Sequence, residues 1–254
     1  VNRLRLDFFK VVFYCRAFVY TAWLSVLNNH KKQSNQHMST KDKIIHTSIE
    51  LFNLHGERAI TTNHIAAHMG ISPGNLYYHF KNKEDIIRHI FALYSEHLHT
   101  HFKPLTPDDD ALENLAGYLD SLFELMWRYQ FFYDNLGDIL SRDEALKKDY
   151  IEFQAALLEQ VKEVLLALRA GDIITIEDDD VTELAHMLKM TVSFWTPYIK
   201  ARRLSGELAR QDIYHGILKV LLLLKAHCTE HSLAQVNQLR AKYLALANAE
   251  PTAQ

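Results

Sequence analysis

Residues 61–83, TTNHIAAHMGISPGNLYYHFKNK, constrain the fold more than any other stretch of the chain. Thr61 and Thr62 open it as a pair of helix N-caps, and Ile65, Ala66 and Met69 follow on one side of a short helix. Gly70 ends that helix, because a residue without a Cβ enters the left-handed region at little cost. Ser72 and Pro73 restart a helix at once, the serine as N-cap and the proline in the first turn. This second helix has only Leu76 and Phe80, four apart, as apolar anchors, and otherwise carries Gly74, Asn75, Tyr77, Tyr78 and His79. So thin a seam, crowded by hydrogen-bonding rings, predicts the exposed second helix of a helix-turn-helix.

The flanks extend the same logic. Residues 40–55 read as a helix with Ile44, Ser48, Leu51, Phe52 and His55 on one face, stopped by Gly56. Asn82 and Lys83 open a longer helix whose seam runs Ile86, Ile87, Ile90, Phe91, Tyr94 and Leu98. Pro104 and Pro107, followed by Asp108, Asp109 and Asp110, mark a boundary, since proline ends one helix and acids suit the start of the next. Beyond it, periodicity predicts helices over about 108–129, 131–140, 143–170, 179–203 (bent near Pro197), 207–228 and 232–248. In the first, Leu112, Leu115, Leu119, Leu122, Phe123 and Met126 point inward; in the third, Tyr150, Phe153, Leu157, Val161, Val164 and Leu168 stay in register. No segment sustains two-residue alternation, so the fold class is all-α.

The string GISPGNLYYHFKNKEDII, preceded by TTNHIA, resembles the DNA-binding signature of the TetR family of bacterial transcriptional regulators. The resemblance is close over about residues 40–98 and continues beyond them as an all-helical pattern of suitable length. It implies a three-helix DNA-binding domain at 38–101, joined by a long helix to a helical effector-binding and dimerisation domain at 104–250. It implies a cytoplasmic homodimeric repressor of a palindromic operator, with affinity for double-stranded DNA controlled by a small apolar or amphipathic ligand. The family's DNA contacts fall on Thr62, Gly74, Asn75, Tyr77, Tyr78, His79 and Lys83. Their chemistry suits the task. Gly74 lets the backbone approach base edges, Asn75 can pair with adenine, and Tyr77 can reach a base, a phosphate or a thymine methyl. Thr62, Tyr78 and His79 are phosphate clamps by type, and Lys83 would set a cation and a helix N-terminus against the backbone. The rival reading is that the Tyr-Tyr-His cluster packs the small domain.

Charge agrees with this placement. Residues 1–37 hold six Lys/Arg and one acid, residues 38–103 seven and six, and residues 104–254 fifteen and twenty-four, giving local balances of +5, +1 and −9. Phosphate would repel the acidic part, which leaves 38–103, with nine of the fifteen histidines, as the face for DNA.

The apolar run ILKVLLLL can serve its own core on one side and a partner on another, so a homodimer is expected through the helices around 179–203 and 207–228. A central buried helix in a monomer is the alternative. Large rings and soft side chains gather in the middle helices, and by analogy Trp127, Phe132, Phe153, Met187, Phe194 and Trp195 would line the effector pocket; the bland alternative is that they are core. Tyr129, Tyr133, His186 and Tyr198 are candidates to orient a head group.

Other classes fare worse. His97, His99 and His101 lack a carboxylate or cysteine to complete a metal site. No Gly-rich phosphate loop and no G-x-S-x-G appear, so neither catalysis nor a cofactor is expected. Cys15 and Cys228 form no disulfide or zinc pattern and fit a reducing compartment. A generic DNA-binding or protein-contact helix-turn-helix protein without an effector is the remaining rival. Residues 1–37 contain an apolar aromatic run interrupted by Lys10 and Arg16, and Met38 resembles an ordinary start. They are expected to be a non-native or disordered extension, with a membrane anchor as the alternative and no membrane role if the extension is non-native.

Overall fold

Caps and seams written into the sequence become ten α-helices, with no strand among the described residues, which in this computed structural model are 38–102, 111–204 and 207–249. The helices are α1 (Thr40–His55), α2 (Thr62–His68), α3 (Pro73–His79), α4 (Lys83–His101), α5 (Ala111–Arg128), α6 (Gln130–Arg142), α7 (Glu144–Ala170), α8 (Asp178–Ala201), α9 (Arg210–Lys225) and α10 (Glu230–Ala247). The expectations for the 1–37 extension, Pro104, Pro107, Asp108, Asp109, Asp110, the Leu112 side chain, Gly206 and the C-terminal tail lie outside the described residues.

The chain divides into two compact units, 1–46 and 47–254. Of the first, only 38–46 are described; there Ser39 accepts a 3.2 Å hydrogen bond from the Asp42 N–H and opens α1. The rest concerns the second unit.

The α4 seam is buried along its full length, from Ile86 and Ile87 through Ile90, Phe91 and Tyr94 to Leu98. Its aromatic part enters a ring cluster. Phe91 stacks on Phe132 of α6 at 5.8 Å between centroids and meets Phe153 of α7 edge-on at 5.6 Å. Such contacts add about 0.5–1.5 kcal/mol each beyond area burial. Asp143 caps α7 by accepting from the Leu146 N–H at 3.1 Å, and its other oxygen takes the Arg88 Nε of α4 at 2.7 Å.

The apolar helix α9 packs against α5, α8 and α10. Its approach to α8 needs a glycine: a Cβ at position 216 would stand 2.6 Å from Trp195 Cδ1. The indole is held there by its Nε1, which donates to the Asp212 carbonyl at 2.6 Å. Helix α8 runs through Pro197, and Asp178, Asp179 and Asp180 occupy its first turn, where acids suit the helix N-terminus.

The last helix starts two residues before position 232, where it was expected to open. It begins at Glu230 with Thr229 as its cap, accepting from the Ser232 N–H at 3.2 Å. Ser232 is turned inward and donates to the Ile173 carbonyl at 2.6 Å. Thr175 N–H to the His227 carbonyl (2.7 Å) and Thr229 N–H to the Ile173 carbonyl (3.1 Å) complete this join between two loops.

Candidate nucleic-acid interface

The turn between α2 and α3 is closed by the backbone. Gly70 sits at φ 66°, and its N–H donates to the Ala67 carbonyl at 3.1 Å while the Ile71 N–H donates to Ala66 at 3.0 Å. This paired closure needs a left-handed residue, which is why a glycine stands there. At the start of α2, Thr61 Oγ1 accepts from the His64 N–H and His64 Nδ1 accepts from the Thr61 N–H, both at 3.3 Å. Ser72 Oγ accepts from the Asn75 N–H at 3.2 Å and fixes the first turn of α3.

Leu76 and Phe80 are buried and anchor α3. The opposite side is free of the core: Tyr78 is 85% exposed, and Gly74, Asn75 and Tyr77 are exposed with it. The Thr62 hydroxyl meets the Tyr77 hydroxyl at 2.9 Å, tying the start of α2 to the outer side of α3. Tyr78 and His79 touch edge to face at 5.1 Å. A Cβ at Gly74 would meet only Ser72 Oγ, at 3.9 Å, so packing within the chain does not demand a glycine there.

Lys83, expected to set a cation and a helix N-terminus against the DNA backbone, is engaged within the chain. Its side chain is 17% exposed, with Nζ 2.8 Å from Glu57 Oε1 and donating to the Glu57 main-chain carbonyl at 3.0 Å. Glu57 is wholly buried, and its other oxygen takes Arg142 of α6 at 2.6 Å. Arg142 also reaches Asp138 at 3.2 Å and Glu84 at 3.7 Å, while Arg58 pairs with Asp138. That guanidinium of Arg58, by hydrogen bond first and charge second, holds the Asp138 carboxyl below its usual range. The sequence signal for this cluster was absent, because its members lie 26 and 85 residues apart. At the N-terminus of α4, Asn82 accepts from the Asp85 N–H at 2.9 Å.

Further along α4 a cavity of about 120 Å³ opens among α4, α5, α7, α8 and α9. None of the six residues expected to line a pocket borders it. Phe132 and Phe153 fill the ring cluster under α4, and Trp195 covers Gly216. Trp127 lies under the Arg210 guanidinium at 5.4 Å. Met187 and Phe194 face outward, 47% and 65% exposed. The cavity is walled instead by aliphatic side chains such as Leu122, Leu157, Val161, Leu188 and Val220. Four rings, Tyr94, Phe102, Tyr118 and Tyr133, border it as well, so an aromatic side chain does not by itself mark a lining position. Of the head-group candidates, Tyr133 borders the cavity, its hydroxyl 3.2 Å from that of Tyr94, and burial raises both phenols. Lys189 borders it as well, its Nζ donating to the Gln154 carbonyl at 2.7 Å.

His97 Nε2 lies 3.1 Å from Ser121 Oγ and its ring stacks on His101 at 4.2 Å; burial, then the neighbouring His101, lowers its pKa. Among the described residues no cluster of three or more metal-ligating side chains occurs, and no helix is long and apolar enough to cross a membrane.

Comparison with known proteins follows the same division of the chain. The family model described as bacterial regulatory proteins, tetR family, matches residues 44–90, and the TetR model described as bacterial transcriptional repressor matches residues 93–236. The HTH-type transcriptional regulator QacR of Staphylococcus aureus is 47% identical over 56 residues, 22% of this chain and 30% of its own length. The class C tetracycline repressor protein of Escherichia coli is 33% identical over 69 residues, 27% of this chain and 32% of its own length. The chain thus spans only 30% and 32% of these two relatives. A solved TetR-family transcriptional regulator from Marinobacter aquaeolei VT8 is 38% identical, with a TM-score of 0.70 over 81% of this chain and 99% of that one. The ketosteroid transcriptional regulator KstR2 of Mycobacterium tuberculosis shares the fold at 20% identity, with a TM-score of 0.57 over 76% and 96% of the two chains.

Proposed function

The chain belongs to the TetR family of bacterial transcriptional regulators, and from that membership we propose that this DNA-binding regulator is a homodimeric repressor of a palindromic operator, released or recruited by a small ligand. The observation that carries the reading is α3, which holds Gly74, Asn75, Tyr77 and Tyr78 outward on a helix fixed by two buried anchors. In this reading Asn75 and Tyr77 read base edges, and Thr62, Tyr78 and His79 hold phosphates. Lys83 acts through the structure of the turn, and the α4 N-terminus supplies backbone N–H groups to a phosphate. Residues 72–80 contain no Arg or Lys, so no guanidinium fork for guanine is available there and DNA shape shares the specificity.

Residues 38–101 form the recognition part of this account, and 104–250 the effector and dimer part. The dimer surface is the outward side of α8 and α9, where Met187, Met190, Phe194, Tyr198 and Leu222 are exposed together. Exposed apolar groups in such number on neighbouring helices suit a two-fold contact. The effector site is the cavity under α4. Because α4 starts at the recognition motif and borders the cavity through Tyr94 and Leu98, a ligand that shifts α4 changes the separation of the two recognition helices. We assign the chain no catalytic role and place its action in the cytoplasm, with the DNA. Run-off transcription from a promoter overlapping the bound site, with sedimentation at the same protein concentration, tests this. Repression by a dimer is expected; activation, or repression by a monomer, would overturn it.

A further inference from the structure

The cavity among α4, α5, α7, α8 and α9 is walled almost entirely by hydrocarbon, and one charged side chain breaks that wall. Lys189 of α8 borders it, with Ser193 four residues further along the same helix. The ammonium gives one hydrogen bond, to the Gln154 carbonyl of α7 at 2.7 Å, out of the three it can donate. Among the described residues no carboxylate lies within ion-pair distance of it. Burial draws its pKa down, the mark of a cation short of water. The Tyr94 and Tyr133 hydroxyls, also at the cavity, are engaged with each other at 3.2 Å.

We propose that this cavity binds a small amphipathic monocarboxylate, with its carboxylate on Lys189 Nζ and the Ser193 hydroxyl and its hydrocarbon chain among Leu122, Leu157, Val161 and Val220. The inference rests on reading the cavity as the effector site. A carboxylate supplies the counter-charge that the ammonium lacks, whereas a neutral ligand leaves it unpaired and an amine meets it with like charge. The volume of about 120 Å³ sets the scale of the part of the chain held inside. It is near that of an apolar cavity which takes benzene, so the ligand has on the order of five to eight carbons.

Calorimetric titration of the full chain with straight-chain carboxylates from butanoate to decanoate, beside the primary alcohols and amines of equal length, tests this. Carboxylates are expected to bind best, with an optimum at middle length. Lys189→Met should weaken the best carboxylate about tenfold or more. It should leave the matching alcohol within about threefold, since the aliphatic stem remains. Lys189→Arg should keep most carboxylate affinity. An alcohol or amine that matches the carboxylate on the wild-type chain would overturn the proposal. So would no binding by any of the series, or an equal loss of carboxylate and alcohol binding in Lys189→Met. DNA binding followed in the same samples separates the two readings. Carboxylate binding through Lys189 that leaves DNA affinity unchanged keeps the ligand class and removes its effector role. DNA release by alcohols but not carboxylates keeps the effector site and overturns the carboxylate.

Discussion

Lys83 Nζ lies 2.8 Å from Glu57 Oε1, and Glu57 is completely buried, so the first residue of α4 and the turn after α1 are locked together inside the protein. Arg142 of α6 completes the lock at 2.6 Å. The recognition motif and α6 therefore share one buried carboxylate. Lys83→Met should cost about 3 kcal/mol or somewhat less, because it removes one of two cations from a buried anion. Urea unfolding measures it. A variant that loses DNA affinity at unchanged stability would show instead that Lys83 acts on DNA directly.

Tyr78 and Asn75 should behave differently from Lys83 and from each other. Tyr78→Ala, at a side chain 85% exposed, should leave the unfolding midpoint unchanged and weaken binding to all sequences alike. Asn75→Ala should cost about 1–3 kcal/mol on the preferred sequence and much less on others. Fluorescence anisotropy on matched and scrambled duplexes reads both; equal losses in the two variants would refute the division of roles.

The parts of this arrangement that could be read from sequence are those encoded locally. The Gly70 turn, the Ser72 cap and the α4 seam from Ile86 to Leu98 each depend on residues within a few positions, and each is found as expected. Glu57 has no such local signal, because its partners are distant in the chain. The cavity was illegible for another reason: a cavity is where side chains fail to meet. Leu157, Val161 and Val164 kept the period of a core seam, yet they are only half-buried and line open space. Phe194 and Met187 looked equally internal but lie on the outward side of α8.

That outward side gives a third prediction. In the proposed homodimer, Phe194→Arg should give monomer in sedimentation and lower affinity for the proposed operator by about 100-fold or more, since two linked half-site contacts become one. A dimer that persists with Phe194→Arg would remove α8 from the interface.

Gly216→Ala should destabilise the protein even though alanine is the better helix former. The new Cβ would stand 2.6 Å from Trp195 Cδ1 and 3.0 Å from Cγ, near the base of the ring, so the indole must move. Overpacking of this kind costs about 1–3 kcal/mol, more than the roughly 1 kcal/mol gained in helix propensity. The melting temperature and the tryptophan emission should both shift; an unchanged melting temperature would contradict the contact.

Asp143 gives the pH dependence. Burial would raise its carboxyl, but the Arg88 guanidinium and the Leu146 and Ala145 N–H groups outweigh it and hold the group below the usual carboxylate range. A depressed folded-state pKa stabilises above the unfolded value, about 3.9, and the benefit is lost as pH falls through the folded value. The melting temperature of wild type should exceed that of Asp143→Asn at pH 6, and the gap should close below about pH 4. A gap independent of pH would assign the effect to packing.

The proposed role of α3 as a reader of sequence can be measured directly. Selection of bound duplexes from a random library by the full chain, at one stated salt concentration, measures that. An enriched palindrome is expected, with half-sites about one helical turn, or a multiple of it, apart. A folded, dimeric protein that enriches no sequence above the salt-dependent background would contradict it.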